Sequence, residues 1–517
     1  MSPVERGLWD AVLARPGDDL ARLVYADYLE EAGRAPLANF IRAQIHLAQC
    51  PPGHPDYADA VEAQSLAVAG ARGASSLPAP ALPDGATFAG SVREIEGDGY
   101  GSYARGFADR VAFSGLRMRT GPGELARALT RVVAETTVRG LDLAHIPESG
   151  LAELLACPAA GELTGLGVTI ASADFAECRR LLAERPRLAG IKRFALGLGD
   201  TMSLVVGMRL ALGEWIQLAP EPWLAGATSY AFHNVGMLNA FRDDLGPAVT
   251  SLTVHNLTGT PRVPMETLGS SRLAGLKHLR LPAVAVDSSE AQELARLPLA
   301  PLAALHLTDA HLGTGAIAAL LSASYLTGLT ELALTGPRAP AAALLRADAV
   351  RLSLRLLYLD GAISDGATLA ELARPGLLPE STTLSVKRPP TRSDYGLVLF
   401  AEAWRGERLH TLILDGWPAP AAALARLAAN PAFASLRRLK LSRCGVSDAG
   451  GVALARSRHL QNLVELDVSF NTLGEKAAAL FSDPSVMPRL VLADLTTNRM
   501  HPDTRTSLRA ARPGFWA

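Results

Sequence analysis

Four short segments near the C-terminus repeat at one spacing. LHTLILDGW begins at Leu409, LRRLKLSRC at Leu436, LVELDVSFN at Leu463 and LVLADLTTN at Leu490, each start 27 residues after the last. No other feature of the 517 residues constrains the fold as strongly. One period holds a strand and a return segment, and such a unit cannot bury its apolar face alone, so stacked neighbours must supply the missing surface. Within each segment the alternating aliphatic residues point one way and the residues between them the other. The phase runs backwards with falling fidelity. Leu384, Leu357, Leu332, Leu305, Leu279 and Leu252 continue it as central residues, and Tyr230, Phe194, Leu166, Leu141 and Val111 extend it in weaker form. With Leu412, Leu439, Leu466 and Ala493 they make fifteen candidate units between residues 108 and 498. The step from Phe194 to Tyr230 is 36 residues and contains Trp215 and Trp223, so an extended convex segment is expected there.

The second and third segments match L-x-x-L-x-L-x-x-[NC] at every fixed position; the fourth departs at Ala493. This pattern resembles the leucine-rich repeat, whose period of 20–29 residues brackets the spacing here. The resemblance implies an α/β solenoid with parallel strands on a concave face and helices or irregular segments on a convex one. Strands stack at ~4.8 Å and helices are wider, which places the strands on the inside of the bend. Several return segments have helical spacing. GELARALTRVVAE puts Leu125, Ala128, Leu129, Val132 and Val133 on one face, and GGVALARSRHL and GEKAAALFS are shorter versions. Cys444, Asn471 and Asn498 occupy the ninth repeat position. There they are expected to point inward, satisfying backbone groups of the turn or packing as a small apolar group.

Residues 1–50 lie outside this phase. ERGLWDAVLARP reads as an amphipathic helix with Leu8, Val12 and Trp9 turned inward. Pro16-Gly17-Asp18-Asp19 reads as a turn ending in an N-cap. DLARLVYADYLEEAG follows as a second helix stopped by Gly33, and PLANFIRAQIHLAQ as a third stopped by Pro51-Pro52. The run RPGDDLARLVYADYLEEAGRAPLANFIRAQ resembles the short bacterial repeat-companion domain that precedes repeat arrays. Pro16, Asp18, Asp19, Arg22, Leu23, Tyr25, Ala26, Asp27, Leu29, Glu30 and Glu31 match its pattern, as do Phe40, Ile41, Arg42 and Gln44; Tyr28 stands where Trp is usual. ARGFADRVAF is similar to the first strand seen after this domain. The resemblance implies architecture and brings no catalytic residues. The expected organisation is a helical domain over 1–50, a Pro/Ala/Gly-rich connector, partly helical, over 51–103, the array over 104–498 and a C-terminal cap over 499–517. HPDTRTSLRAARPGFWA supplies that cap as a short helix, with Phe515 and Trp516 covering the open edge.

Composition narrows the function. Lys+Arg is 50 against 51 for Asp+Glu, so neither nucleic acid nor an anionic membrane is an expected partner. None of the five Lys follows a Gly, which excludes a Walker-type phosphate loop. Four Cys without a C-x-x-C pair, and no basic segment leading into an apolar run at the start, fit a cytoplasmic protein without a disulfide framework. The uncharged stretch from Leu312 to Thr330 carries Gly, Ser and Thr throughout and fits a repeat better than a membrane span. GYGSYA (99–104) matches a dinucleotide motif only on paper, because it precedes a strand when it should follow one. No catalytic, cofactor or metal constellation is found, and a monomer is expected.

The candidate site is the concave face, where side chains flank the strand aliphatics. His233, His255, His278, Arg280 and His306 fall on neighbouring units near the middle. They read as a solvated surface, a partner contact or pH-sensitive patch, or, least well, a metal site, since no carboxylate or thiol clearly joins them. Further along come Glu331, Tyr358, Asp360, Lys387, Asp415, Arg438, Lys440, Glu465, Asp467 and Asp494. Such a mixed-charge surface suits a complementary protein as well as plain solubility. Large aromatics are few there apart from Tyr358, so a very tight interface is not expected. The acidic side of the YADYLEE helix is a second place for a partner. The expected function is a non-catalytic scaffold holding a protein of unknown identity, with regulation of an enzyme such as a GTPase as the alternative.

Overall fold

The computed structural model describes residues 1–50, 54, 56, 59, 60, 62–64, 66–67, 86–87, 103–104, 107–108, 110–114, 123–144, 148–170, 191–198, 229–232, 245, 248–254, 268–281, 285–286, 288–307, 311–312, 316–335, 354–363, 365–374, 377–387, 396–512 and 514–516. The chain divides into two compact units, one of Met1–Ala48, Ser76–Val284 and Leu297–Ala300, the other of Gln49–Ser75, Ala285–Arg296 and Pro301–Ala517.

The first unit opens with three helices: α1 (Pro3–Ala14), α2 (Asp19–Glu31) and α3 (Ala35–Gln49). Their limits follow from local chemistry. Ser2 caps α1 by accepting the Glu5 N–H, with Pro3 in the first turn. Asp18 caps α2 through Leu20 N, and beyond its last turn Gly33 takes the left-handed φ of +77° that favours glycine. Val12, Ala26, Leu29, Ala38 and Ile41 are fully buried among the three. The core is completed by Phe107, on the hairpin of β2 (Tyr103–Ala104) and β3 (Phe107–Ala108), which follows β1 (Ala86–Thr87). Its ring lies 5.4 Å from Trp9 and 6.0 Å from Tyr25, and the Arg22 guanidinium sits 5.0 Å above it. The helices thus finish their packing with a residue of the following segment.

From there strands β4 (Arg110–Ser114), β5 (Gly140–Ala144), β6 (Gly165–Ile170), β7 (Arg193–Leu198), β8 (Ser229–Phe232), β9 (Ser251–Val254) and β10 (His278–Arg280) pair in parallel. Val111, Leu141, Leu166, Phe194, Tyr230, Leu252 and Leu279 fall in one register across them, so even the weak repeats keep phase. β1 adds an antiparallel partner to β4. Helix α4 (Glu124–Glu135) turns its expected apolar face in, with Leu125, Leu129 and Val132 at most 2% exposed. A second return helix, α5 (Glu148–Ala156), follows β5. The extended segment expected around Trp215 and Trp223 lies outside the described residues.

The second unit repeats the arrangement with better fidelity. β12 (Ala304–Leu307), β14 (Glu331–Leu334), β15 (Leu356–Tyr358), β16 (Thr383–Ser385), β17 (Thr411–Ile413), β18 (Arg438–Lys440), β19 (Glu465–Asp467), β20 (Leu492–Asp494) and β21 (Phe515–Trp516) run parallel in that order. Leu305, Leu332, Leu357, Leu384, Leu412, Leu439, Leu466 and Ala493 share one register. Leu412, Leu439 and Leu466 are fully buried, each contributing roughly 1.5–3 kcal/mol. A small parallel pair, β11 (Ala285–Val286) with β13 (His311–Leu312), was not foreshadowed by the repeat pattern.

The return segments form helices α6 (Ser288–Ala295), α7 (Ala316–Leu321), α8 (Gly366–Glu371), α9 (Gly396–Ala403), α10 (Ala421–Ala429), α11 (Asp448–Ala455) and α12 (Glu475–Ser482). Two glycines let neighbouring helices approach: a Cβ on Gly396 would fall on the Gly366 backbone, 2.7 Å from its carbonyl oxygen. After β20 come α13 (Pro502–Ala511) and β21; Phe515 is 2% exposed and lies in parallel register beside Ala493. Among the described residues no helix is long and apolar enough to cross a membrane, and those of the Leu312–Thr330 stretch include the short α7 and a 3₁₀ turn.

Part of the connector is described. Residues 59, 60, 62–64, 66 and 67 are helical. Glu62 pairs with both Arg437 and Arg489, and Asp59 with Arg437 at 3.0 Å. Those arginines precede β18 and β20, so the segment lies along the edge where the strands begin.

Candidate functional site

The ninth repeat position shows how the strands end. Trp417, Cys444, Asn471 and Asn498 each donate to a carbonyl of the preceding unit: Val386 (2.6 Å), Leu414 (3.1 Å), Leu441 (2.8 Å) and Val468 (2.8 Å). Asn471 also donates to Val468 and Ser469 of its own turn and accepts the N–H groups of Cys444 and Val446. Burial pushes the Cys444 thiol far above its usual range, so it stays a protonated donor. These residues are structural, and they hold the strand face in place.

Side chains on that face pack into three groups in the second unit. In the first, His306 Nε2 lies 2.7 Å from Glu331 Oε1, with the Tyr358 ring 6.4 Å from the imidazole. His306 was expected to be exposed and is only 8% so, because the neighbouring strand's carboxylate and that ring cover it. In the second group, Asp360 accepts from Ser385 Oγ (2.6 Å) and Lys387 N (3.0 Å), and its other oxygen meets Lys387 Nζ at 3.3 Å.

The third group is the most developed. Glu465 on β19 receives Arg438 Nε (3.0 Å) and Lys440 Nζ (3.5 Å), all three side chains being 15–17% exposed. Burial pulls the Glu465 carboxyl up, but the two cations outweigh it and hold it below the usual carboxylate range. Burial lowers Lys440 and raises Asp415. Asp415 accepts Ser442 N at 2.8 Å, Asp467 accepts Ser469 N and Oγ, and Asp494 accepts Thr496 N and Oγ. The three aspartates are therefore oriented by backbone N–H groups, and Glu465 by its two cations.

Above it, where the strands turn outward, runs a row in left-handed conformation: Gly361, Gly416, Arg443, Phe470 and Thr497. The first two are glycines, as the geometry favours. Arg443 and Phe470 adopt φ of 59° and 56° despite their side chains, at a cost of roughly 1–2 kcal/mol each. Phe470 is 49% exposed, and the Arg443 guanidinium lies 4.8 Å from its ring centroid. Neither residue was selected from the sequence. The available signal was position: each stands 27 or 54 residues after Gly416, in a slot where glycine is the natural choice.

In the first unit, His278 and Arg280 lie on β10 on either side of Leu279, His278 exposed and Arg280 half-buried. His233 and His255 come next in sequence after β8 and β9 and lie outside the described residues, so the expected patch of His233, His255, His278 and His306 falls in part outside them. Among the described residues no group of His, Cys, Asp and Glu could hold a metal ion.

The Leucine Rich repeat family profile matches residues 434–455 and 459–482, the two units carrying Arg438, Lys440, Glu465 and Asp467. These units are leucine-rich repeats. The chain around them folds as an α/β leucine-rich repeat solenoid, with helices at its N-terminus. No curated protein matches the sequence. Among solved structures, that of the Rad7 and Elc1 complex in yeast is similar at 17% identity over 62% of this chain and 88% of that one, with a TM-score of 0.39. A leucine-rich repeat protein of Leptospira interrogans is 15% identical over 79% and 89%, with a TM-score of 0.33. An internalin of Listeria monocytogenes is 13% identical over 79% and 85%, with a TM-score of 0.28.

Proposed function

We propose that the chain is a non-catalytic scaffold that binds a protein partner on the strand face of its C-terminal repeats. Repeat arrays offer a long, rigid wall and use it for binding. One observation carries the reading: the strained, exposed Arg443–Phe470 stack stands beside the oriented charge cluster of Asp415, Arg438, Lys440, Glu465 and Asp467. Folding alone favours glycine at both rim positions, whereas Arg and aromatic residues recur as interface anchors. The fixed charges around the stack select a partner of complementary pattern. The groups around His306 and Asp360 extend this wall.

The near-neutral charge supports a protein partner over nucleic acid or membrane, and the free, buried thiol of Cys444 suits a reducing cytoplasm. The reading keeps the chain a monomer in which residues 1–50 act as a bacterial companion domain, 51–103 as a connector, 104–498 as the array and 499–517 as its cap.

The test is quantitative recovery of partners from the native lysate with the wild type, Phe470→Ala, and Lys440→Glu with Asp467→Lys. A genuine partner falls at least tenfold with both variants while their melting transitions stay cooperative. Undiminished recovery with both refutes the assignment of this face.

A further inference from the structure

Seven large hydrophobic side chains are exposed among the described residues, and four of them, Met1, Val4, Leu20 and Val24, fall in the first 24 residues. Leu20 is 68% and Val24 43% exposed. They stand one turn apart on α2, on a single face. The opposite face of α2 supplies Arg22, Tyr25, Ala26 and Leu29 to the bundle. The core of the bundle, Phe107 included, takes in neither Leu20 nor Val24.

Two turns further along the same outer face come Asp27 and Glu31, with Glu30 beside them. Asp27 and Glu30 side chains remain 64% and 53% exposed although both hold Arg42. The last turn of α2 contains no basic residue. Asp27 and Glu30 share that one guanidinium, so together with Glu31 this end of the helix keeps an excess of negative charge, at the end where the helix dipole is also negative. The outer face therefore runs from an aliphatic pair to an acidic end, ordered along the helix axis.

We propose that this face of α2 docks a cationic amphipathic helix of a partner protein. The partner's aliphatic residues, one turn apart, cover Leu20 and Val24, and its Lys or Arg residues one and two turns on meet Asp27 and Glu31. A helix is the fitting occupant because the complementary pattern repeats at helical spacing and both halves lie on one narrow stripe. The acid end sets the sign and the direction of the bound helix. This surface is separate from the strand face, so the two can be tested apart.

The probe is a fluorescein-labelled, stapled peptide of about 20 residues. It carries Leu at i and i+4 and Lys at i+7 and i+11, the spacing of residues 20, 24, 27 and 31. A second peptide carries Glu in place of Lys. Anisotropy titrations use the full chain in low and physiological salt. The Lys peptide is expected to bind, the Glu peptide to bind at least tenfold more weakly, and salt to weaken the complex. Leu20→Ala with Val24→Ala, and separately Glu31→Lys, should each reduce affinity at least tenfold with unchanged melting transitions, because these side chains are exposed. No binding of the Lys peptide, equal binding of both peptides, or equal binding by the variants overturns the proposal. So does light scattering that finds a wild-type dimer abolished by the Leu20/Val24 variant, since the occupant would then be a second copy.

Discussion

Replacing Asn471 with Ala removes one side chain and five hydrogen bonds. Its carboxamide oxygen accepts Cys444 N at 2.9 Å and Val446 N at 3.0 Å, and its nitrogen serves the carbonyls of Leu441, Val468 and Ser469. The residue is only 7% exposed, so water does not readily take over. A buried donor left without an acceptor costs about 1–3 kcal/mol, and two are orphaned here. The expected loss is roughly 2–6 kcal/mol, with the carbonyls keeping a second lone pair for other partners. Asn498 provides the internal comparison, because its oxygen accepts one N–H, that of Leu473. Asn498→Ala should therefore cost about half as much. In a repeat array the damage stays local, so hydrogen exchange is the suitable assay. Amides of Leu441 and Val468, bonded to Asp467 and Asp494, should lose protection by the stated amount while β14 and β15 keep theirs. A loss below about 1 kcal/mol for Asn471→Ala, or a larger loss for Asn498→Ala, would refute the reasoning.

Gly396→Ala drives a methyl group into the Gly366 backbone and should cost at least ~1–3 kcal/mol, measured by urea unfolding; a change under about 0.5 kcal/mol contradicts the close approach of α8 and α9. Phe470→Gly releases left-handed strain, so thermal stability should hold or rise by up to about 1 kcal/mol while partner binding falls; a marked destabilisation would mean the ring serves the fold. Glu5, hydrogen-bonded to Arg34, has its carboxyl held below the ordinary value of 4.5. A depressed folded-state pKa gives stability that is present above 4.5 and lost as pH falls through the folded value. The α1–α3 bundle should weaken in acid below that point, monitored by Trp9 fluorescence, and Glu5→Gln should flatten the profile; an unchanged profile contradicts the pairing.

Much of this fold is legible because one physical requirement recurs. Every unit needs an inward aliphatic or aromatic residue at the same register, and Leu439 and Tyr230 meet it equally well although only the first fits the repeat pattern. The three N-terminal helices are legible from their apolar spacing and from Asp18 and Gly33 at the ends of α2, whereas the Ser2 cap of α1 shows only in the structure. Tyr25 and Tyr28 could not be told apart by spacing; the structure buries Tyr25 against Trp9 and leaves Tyr28 to bond Ser2. Long-range contacts escaped the sequence for a different reason. Phe107 completing the helical core, and Glu62 reaching Arg437 and Arg489, depend on where distant segments return. In the candidate site, residue types and strand positions were legible, while pairing was not. His306 lost its expected exposure to Glu331 and Tyr358 on adjacent strands. Phe470 passed unnoticed because a left-handed turn shows in a sequence only when glycine marks it, as Gly416 does.

The most direct test of partner binding on the strand face places a photoreactive aromatic at Phe470, as Phe470→p-benzoylphenylalanine, in the native host. The control position is Leu399 on the helix face, 53% exposed. Irradiation should join one protein to the chain through position 470 and none through 399, and Lys440→Glu with Asp467→Lys should abolish that adduct. Equal adducts from both positions, or none from 470, would contradict the account.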